Sequence, residues 1–428
     1  MSSPDALFPV VRSQIAGQLI ESLVQQYGTP CYVYDMATIR QKVADLQAFD
    51  VIRYAQKACS NIAILDRLRR LGVVVDAVSA GEVQRALSAG FDPHSDPHGI
   101  VYTADVFDQE ALAMVKRLGL HVNCGSPDMI DQLGRVAPGS SVTLRINPGF
   151  GHGHSQKTNT GGPQSKHGIW HEEIDSCLRL ADVHNIAITG LHMHIGSGTD
   201  LEHLSQVCES LEKIAVQVGR TLTSISAGGG LPVPYKQGQS YVDLGRYYQL
   251  WDQTRKRVEG LFGHRLRLEI EPGRYLVAES GFLIAEIRSV KKMGQNTFYL
   301  LDAGFNDLAR PILYGAYHPI SICHRGHQPP GNELVEVVVG GPLCESGDIF
   351  TQEEGGFVAK RSLPAAKVGD LLVLEVAGAY GFVMSSNYNG RFRAPELLIE
   401  DGQIHCIRSR ETYEDLIRGE KIPPPPKA

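Results

Sequence analysis

The chain has 428 residues, 43% of them hydrophobic and 21% charged, with a formal net charge of −6. That length accommodates two domains with sizeable cores, and the composition excludes a disordered or collagen-like chain. The acidic balance excludes a basic face for nucleic acid and a polybasic membrane patch.

No apolar run approaches the length of a membrane span. The opening MSSPDALFPVVRSQ lacks the basic start and apolar core of a signal peptide. The eight cysteines, at positions 31, 59, 124, 177, 208, 323, 344 and 406, include no CxxC pair, which suits reduced thiols better than a disulfide framework or a zinc site. The expectation is a soluble cytoplasmic enzyme that engages neither nucleic acid nor membrane.

In chain order, TPCYVYD comes first as a candidate strand. From residue 51 onward, short β-branched runs alternate with helical periodicity. Strands are predicted over 51–56, 73–78, 100–103, 120–123, 141–146, 186–194, 223–227 and 266–270. Helices are predicted between them over 62–71, 81–89, 108–118, 127–136, 172–183, 201–218 and 241–261. Eight strands with intervening helices is the count of a (β/α)8 TIM-like barrel, with an open doubly wound sheet as the alternative. In the first strand, VIRYAQK, a period of two puts Arg53, Ala55 and Lys57 on one face, and Ser60 is placed to N-cap the following helix. Lys57 would then be an interior charge at a strand-to-helix corner, or a lysine snorkelling from a strand edge.

The strand ends carry Lys57, Asp76, Arg145, His194, the triplet at 228–230 and Glu271, and a barrel would bring them to one mouth. The connection 148–167, rich in Gly, Ser, Thr and Asn, follows the fifth strand and is expected to act as a lid or substrate loop. From about residue 281 strands follow one another without long helices, the pattern of a mostly antiparallel β domain, sandwich or barrel. The predicted organisation is a barrel over 37–280 and a discontinuous β domain made of 1–36 and 281–428.

Four local patterns carry chemistry. His192 and His194 share one side of a strand and suggest either a metal ligand pair or a structural or stacking role. No carboxylate or cysteine with zinc spacing accompanies them, and the pair in GHGH at 151–154 fails likewise. GGGLP at 228–232 follows an apolar strand and offers close backbone approach to an anion or simply a tight turn. EIEPGR ends the eighth strand with Glu271 and Arg274, an acid and a bidentate anion partner, or a surface ion pair. GPLCESGD places Cys344 beside Glu345 in a turn, either structural or reactive.

The ordered series YAQKA, HIGSG, GGGLP, EPGR, GPLCESGD and GAYG resembles the fold-type III pyridoxal-phosphate-dependent decarboxylases from about residue 32 to 408. The runs DAGFNDLARPILYGAYHPI, GPLCESGDIF and GAYGFVMSSNYNGR resemble the branch acting on meso-2,6-diaminopimelate. The resemblance implies pyridoxal 5'-phosphate as cofactor, release of CO2 and formation of L-lysine, the last step of lysine biosynthesis. It implies that Lys57 binds the cofactor covalently, Glu271 pairs with its ring nitrogen and His194 stacks on its ring. Ser197, Gly229, Gly230, Gly273, Arg274 and Tyr380 would surround the phosphate, with Asp76 and Arg145 orienting the lysine or cofactor. Arg274, Arg310 and Tyr314 would hold the distal carboxylate, with Tyr380 and Tyr388 lining the substrate pocket. Cys344 would donate the proton replacing CO2 and Glu345 would meet the distal ammonium, both reaching across a homodimer interface. Departures are SKHG at 165–168 where many members read SKFG, GGGLP for GGGLG, and KACSN for KAN. The rival readings are a decarboxylase of D-lysine, D-ornithine or L-ornithine, and a non-catalytic cofactor-binding homologue. Arg310 argues against the former, because those substrates bring no distal carboxylate.

Overall fold

The computed structural model describes residues 8–150, 161–194, 201–326, 333–353 and 355–425. The chain forms two compact units, one of residues 38–234 and 239–278, the other drawn from 1–37, 235–238 and 279–428.

The first unit is a closed barrel of eight parallel strands: β1 (Val51–Ala55), β2 (Val74–Ala77), β3 (Ile100–Ala104), β4 (His121–Cys124), β5 (Ser141–Asn147), β6 (Ala187–Met193), β7 (Ser224–Ser226) and β8 (Arg267–Ile270). Each pairs with the next, and β8 closes on β1 through Glu269 opposite Val51 and Ile270 opposite Ile52. A short strand, Ile169–Trp170, adds to the end of β5. The crossover helices are α1 (Ile62–Arg70), α2 (Ala80–Ser88), α3 (Gln109–Leu118), α4 (Pro127–Val136), α5 (Ile174–His184), α6 (Leu201–Val218) and α7 (Leu244–Phe262).

The helix starts are written into the sequence. The side chains of Ser79, Asp108, Ser126 and Asp243 accept the N–H of Glu82, Ala111, Met129 and Arg246, satisfying donors that a helix leaves open at its first turn. The apolar stripe of α4 (Met129, Ile130, Leu133) is buried, each large side chain contributing about 1.5–3 kcal/mol. Several barrel positions that face the interior are polar. Arg53, Asn123, Thr143, Ser226 and Glu269 line a cavity of about 690 Å³, where many barrels stack branched apolar side chains. Arg53 donates from Nε and Nη2 to Glu269 Oε2 (3.1 and 3.0 Å) and from Nη1 to the His98 carbonyl (2.8 Å).

Two local expectations are corrected at the first corner. β1 stops at Ala55, and Gln56–Ala58 forms a 3-10 turn, so Lys57 leaves the two-residue phase that would align it with Arg53 and Ala55. Its side chain is 50% exposed rather than interior. The N-cap of α1 is Asn61, not Ser60. Asn61 has the extended backbone of a cap, and its side chain accepts the Ala63 N–H. The extra turn after the strand consumes the residues that an abrupt strand-to-helix switch would have placed at the cap.

The second unit is a nine-stranded, mostly antiparallel sheet. Cys31–Asp35 lies within it, antiparallel to Gly281–Met293 and parallel to Glu396–Glu400. Its core includes Cys31, Val33, Ile284, Val373 and Leu397. Residues 235–238, between β7 and α7 in the chain, group with this unit. Among the described residues, no helix is long and apolar enough to cross a membrane.

Candidate active site

Four strand ends of the barrel unit supply its charged mouth. At the end of β1, Tyr54 donates its hydroxyl to the Cys59 carbonyl (2.9 Å) and Gln56 donates to the Asp76 carbonyl (3.2 Å), which fixes the turn carrying Lys57. Lys57 Nζ lies 4.0 Å from Asp76 Oδ2. Asp76 is buried, and burial pushes its carboxyl up, opposed by the Lys57 charge. The Thr103 hydroxyl beside it also opposes the rise.

Glu271, just past β8, is buried and doubly engaged. Ser226 Oγ donates to Oε1 at 2.8 Å, and His192 Nε2 lies 3.0 Å from Oε2. Burial alone would raise its carboxyl, but His192 and Ser226 outweigh it and hold the group well below the usual range. Glu271 therefore stays anionic. Ser226 is itself held by the Gly228 N–H (3.1 Å). His194 is driven well below its ordinary value by burial first, then by Arg145, His192 and Lys57, so its ring is neutral.

The glycine triplet has a steric cause. Gly228 has φ +65, and a Cβ there would sit 2.5 Å from the Met193 carbonyl and 2.7 Å from His194 Cβ. A Cβ on Gly229 would sit 2.5 Å from the Glu271 carbonyl. Only bare backbone passes between β6 and β8 at this point. Gly273 precedes a one-turn helix, α8 (Arg274–Val277), which Arg274 opens, and the Ala55 N–H donates to the Pro272 carbonyl (3.1 Å), tying this corner to that of Lys57. Arg145 is buried in β5. Ser197 and residues 151–160 of the long connection lie outside the described residues. The neck of that connection is closed by Asn147, whose Oδ1 accepts from Gly149 and Gly162 and whose Nδ2 donates to the carbonyls of Gly162 and His167. His167, the departure in SKHG, lies with Nδ1 2.5 Å from Asp105 Oδ2.

In the β unit, Cys344 and Glu345 sit exposed on one turn. Asp348 organises it, accepting the N–H groups of Leu343 (Oδ2, 2.8 Å) and Phe305 (Oδ1, 2.8 Å), while Asn389 accepts the Cys344 N–H (2.8 Å). Tyr388 stacks on Phe305 at 5.3 Å between ring centroids. Tyr380 has φ 58, a left-handed backbone that side chains rarely adopt. Arg310 opens the short helix Arg310–Tyr314 and is buried, whereas Tyr314 is exposed.

Sequence reasoning missed Ser226 as a partner of Glu271 and Asp348 as the organiser of the Cys344 turn. The signal for Ser226 was a hydroxyl two residues before the glycine triplet, and for Asp348 the terminal acid of GPLCESGD.

A lysine beside a buried carboxylate, a neutral histidine ring and a fixed anion at the mouth of a parallel barrel define a pyridoxal-dependent barrel enzyme. Residues 36–278 match the family described as pyridoxal-dependent decarboxylase, pyridoxal binding domain. The chain is 53% identical over 415 residues to the diaminopimelate decarboxylase of Escherichia coli strain K12, covering 97% of this chain and 99% of that one. It is 50% identical over 429 residues to that of Streptomyces coelicolor, covering 99% and 98%. A crystal structure of a diaminopimelate decarboxylase superposes with a TM-score of 0.89 at 54% identity, over 92% of this chain and 94% of that one. The Helicobacter pylori diaminopimelate decarboxylase complexed with L-lysine gives 0.83 at 33% identity, over 93% and 98%. The chain belongs to the diaminopimelate decarboxylase family.

The residues present suit pyridoxal phosphate. Lys57 offers a half-exposed amine, and the buried Asp76 carboxyl stands beside it. Glu271 offers a fixed anion for a protonated ring nitrogen, and His194 offers a flat, uncharged face.

Proposed function

We propose that this chain removes CO2 from meso-2,6-diaminopimelate to give L-lysine, with pyridoxal 5'-phosphate as cofactor. The observation that carries the reading is the Glu271 carboxylate, kept ionised by Ser226 and His192 in the barrel unit that also sets Lys57 against Asp76. When bound, the cofactor's protonated ring accepts the electron pair left by departing CO2.

The chain's own groups do the rest. Lys57 would hold the cofactor through its Nζ amine. Asp76 keeps that amine oriented, and Glu271 keeps the ring nitrogen protonated. His194 packs on the ring face. Gly229, Gly230, Gly273, Arg274, Ser197 and Tyr380 receive the phosphate, and Arg145 adds positive charge beside the His194 ring. Arg310, with Arg274 and Tyr314, receives the distal carboxylate, and Tyr388 lines the same pocket. Cys344 delivers the proton that replaces CO2, and Glu345 meets the distal ammonium. We propose that both act across a homodimer interface, since each stands exposed on the turn fixed by Asp348. The eight cysteines without a CxxC pair suit a cytoplasmic location.

The test is CO2 release from separated diaminopimelate stereoisomers and from D-lysine, with and without added cofactor. The meso isomer should be turned over far faster than D-lysine. Equal efficiency on the two would overturn the substrate assignment, and absence of cofactor binding would overturn the enzyme assignment.

A further inference from the structure

We propose that His318 is a positioning residue that, with Tyr235, aims the Arg310 guanidinium and so sets the demand for a distal carboxylate on the substrate. The inference rests on the function proposed above and deepens it. His318 closes the run GAYH, and both it and Arg310 are buried, at 2% and 7% exposure.

The protonation of His318 follows from its partners. Nδ1 lies 3.0 Å from the Glu375 carbonyl oxygen, which only accepts, so Nδ1 carries the hydrogen. Nε2 lies 2.9 Å from Arg310 Nη1, which only donates, so Nε2 presents a lone pair. One neutral tautomer satisfies both bonds, and a protonated ring would lose the acceptor. Arg310 Nη1 also donates to the Tyr235 hydroxyl at 3.1 Å. The guanidinium carbon lies 4.8 Å from the centroid of the Tyr235 ring, and His318 meets that ring edge-on at 5.6 Å. Two acceptors and a ring face fix the plane and direction of the fork.

The support continues behind His318. The Glu375 N–H donates to the Pro319 carbonyl (2.9 Å). Its carboxylate accepts from Ser321 Oγ (2.7 Å) and from Arg12 Nε and Nη2 (2.9 and 3.0 Å). The carbonyl that holds His318 is therefore itself immobilised. A guanidinium aimed in advance loses less freedom when it meets a carboxylate, which favours substrates that bring one.

The experiment compares the cofactor-loaded wild type with His318→Phe, which keeps a ring and removes the acceptor, and with His318→Gln, whose amide oxygen restores it. In His318→Phe the KM for meso-diaminopimelate should rise by about 10-fold or more with kcat little changed, as expected for a lost charge-assisted bond. The preference over D-lysine should fall by the same factor. Binding of pimelate, a dicarboxylate without amines, measured by calorimetry, should weaken in parallel. His318→Gln should return KM to within about threefold of wild type, on the scale of one retained hydrogen bond. Unchanged KM and pimelate affinity in a folded His318→Phe, or a fall in kcat alone, would overturn the inference. If circular dichroism shows that His318→Phe does not fold, Tyr235→Phe carries the test through the same KM and pimelate readouts. A wild type that binds pimelate but does not act on diaminopimelate would refute the proposed function, while the pimelate comparison would still judge His318.

Discussion

Replacing Arg53 by Met should destabilise the barrel far more than replacing Arg53 and Glu269 together. Arg53 is 3% exposed and Glu269 is its neighbour across the β8–β1 closure. Two guanidinium nitrogens meet one carboxylate oxygen at 3.1 and 3.0 Å, and a third satisfies the His98 carbonyl at 2.8 Å. Arg53→Met leaves the Glu269 charge without this partner and the carbonyl without its donor. Breaking one side of a buried pair costs about 3–5 kcal/mol, whereas replacing both members by apolar groups is often neutral. For a unit of this size, about 2–4 °C of melting temperature per kcal/mol makes the expected drop roughly 6–20 °C. The assay is thermal and guanidinium unfolding followed by circular dichroism on wild type, both single variants and the double variant Arg53→Met/Glu269→Met. A single Arg53→Met variant within about 1 kcal/mol of wild type, the value of an exposed ion pair, would refute the claim that this pair holds the barrel closed.

Lys57→Ala should abolish turnover and the covalent absorbance of the bound cofactor while leaving the circular dichroism spectrum unchanged; substantial residual activity would remove Lys57 from its proposed role. Cys344→Ala should lower kcat by roughly 100-fold or more, the scale of a lost proton donor, with KM nearly constant; a KM effect alone would make Cys344 a binding group. Glu82 tests pH dependence. Its Oε2 accepts the Val78 N–H at 2.8 Å, and burial pushes its carboxyl up to about 7. A raised carboxyl stabilises the fold below its unfolded value of about 4.3 and loses that contribution as pH rises through about 7. Glu82→Gln should therefore gain stability relative to wild type by roughly 3 kcal/mol between pH 4 and pH 8, measured by urea unfolding; parallel profiles for the two proteins would contradict the raised carboxyl.

The legible part of the molecule is the part set by near neighbours along the chain. Eight strand runs and seven helical runs stand in the sequence because hydrophobic periods of two and of 3.6 are local properties. Ser79, Asp108, Ser126 and Asp243 announce helix starts for the same reason. The strand count implies a mouth, and a mouth gives Lys57, Asp76, His194 and Glu271 a common place. The 3-10 turn at Gln56–Ala58 was not legible, because the bonds that fix it run from the Gln56 amide to the Asp76 carbonyl and from the Tyr54 hydroxyl to the Cys59 carbonyl, outside the strand pattern. Asn61 took the cap from Ser60 as a consequence.

By itself, then, the sequence determined the alternation of strands and helices, the β-rich C-terminal unit and the residue types that can hold an aldehyde cofactor. The tertiary structure alone decided which partners set their properties. Ser226 and His192 make Glu271 a lasting anion, Asp348 shapes the turn of Cys344, and His318 with Tyr235 orients Arg310. These partners lie 8 to 79 positions from the groups they tune, except Asp348 at four, and no local periodicity encodes a contact made across a barrel or a sheet.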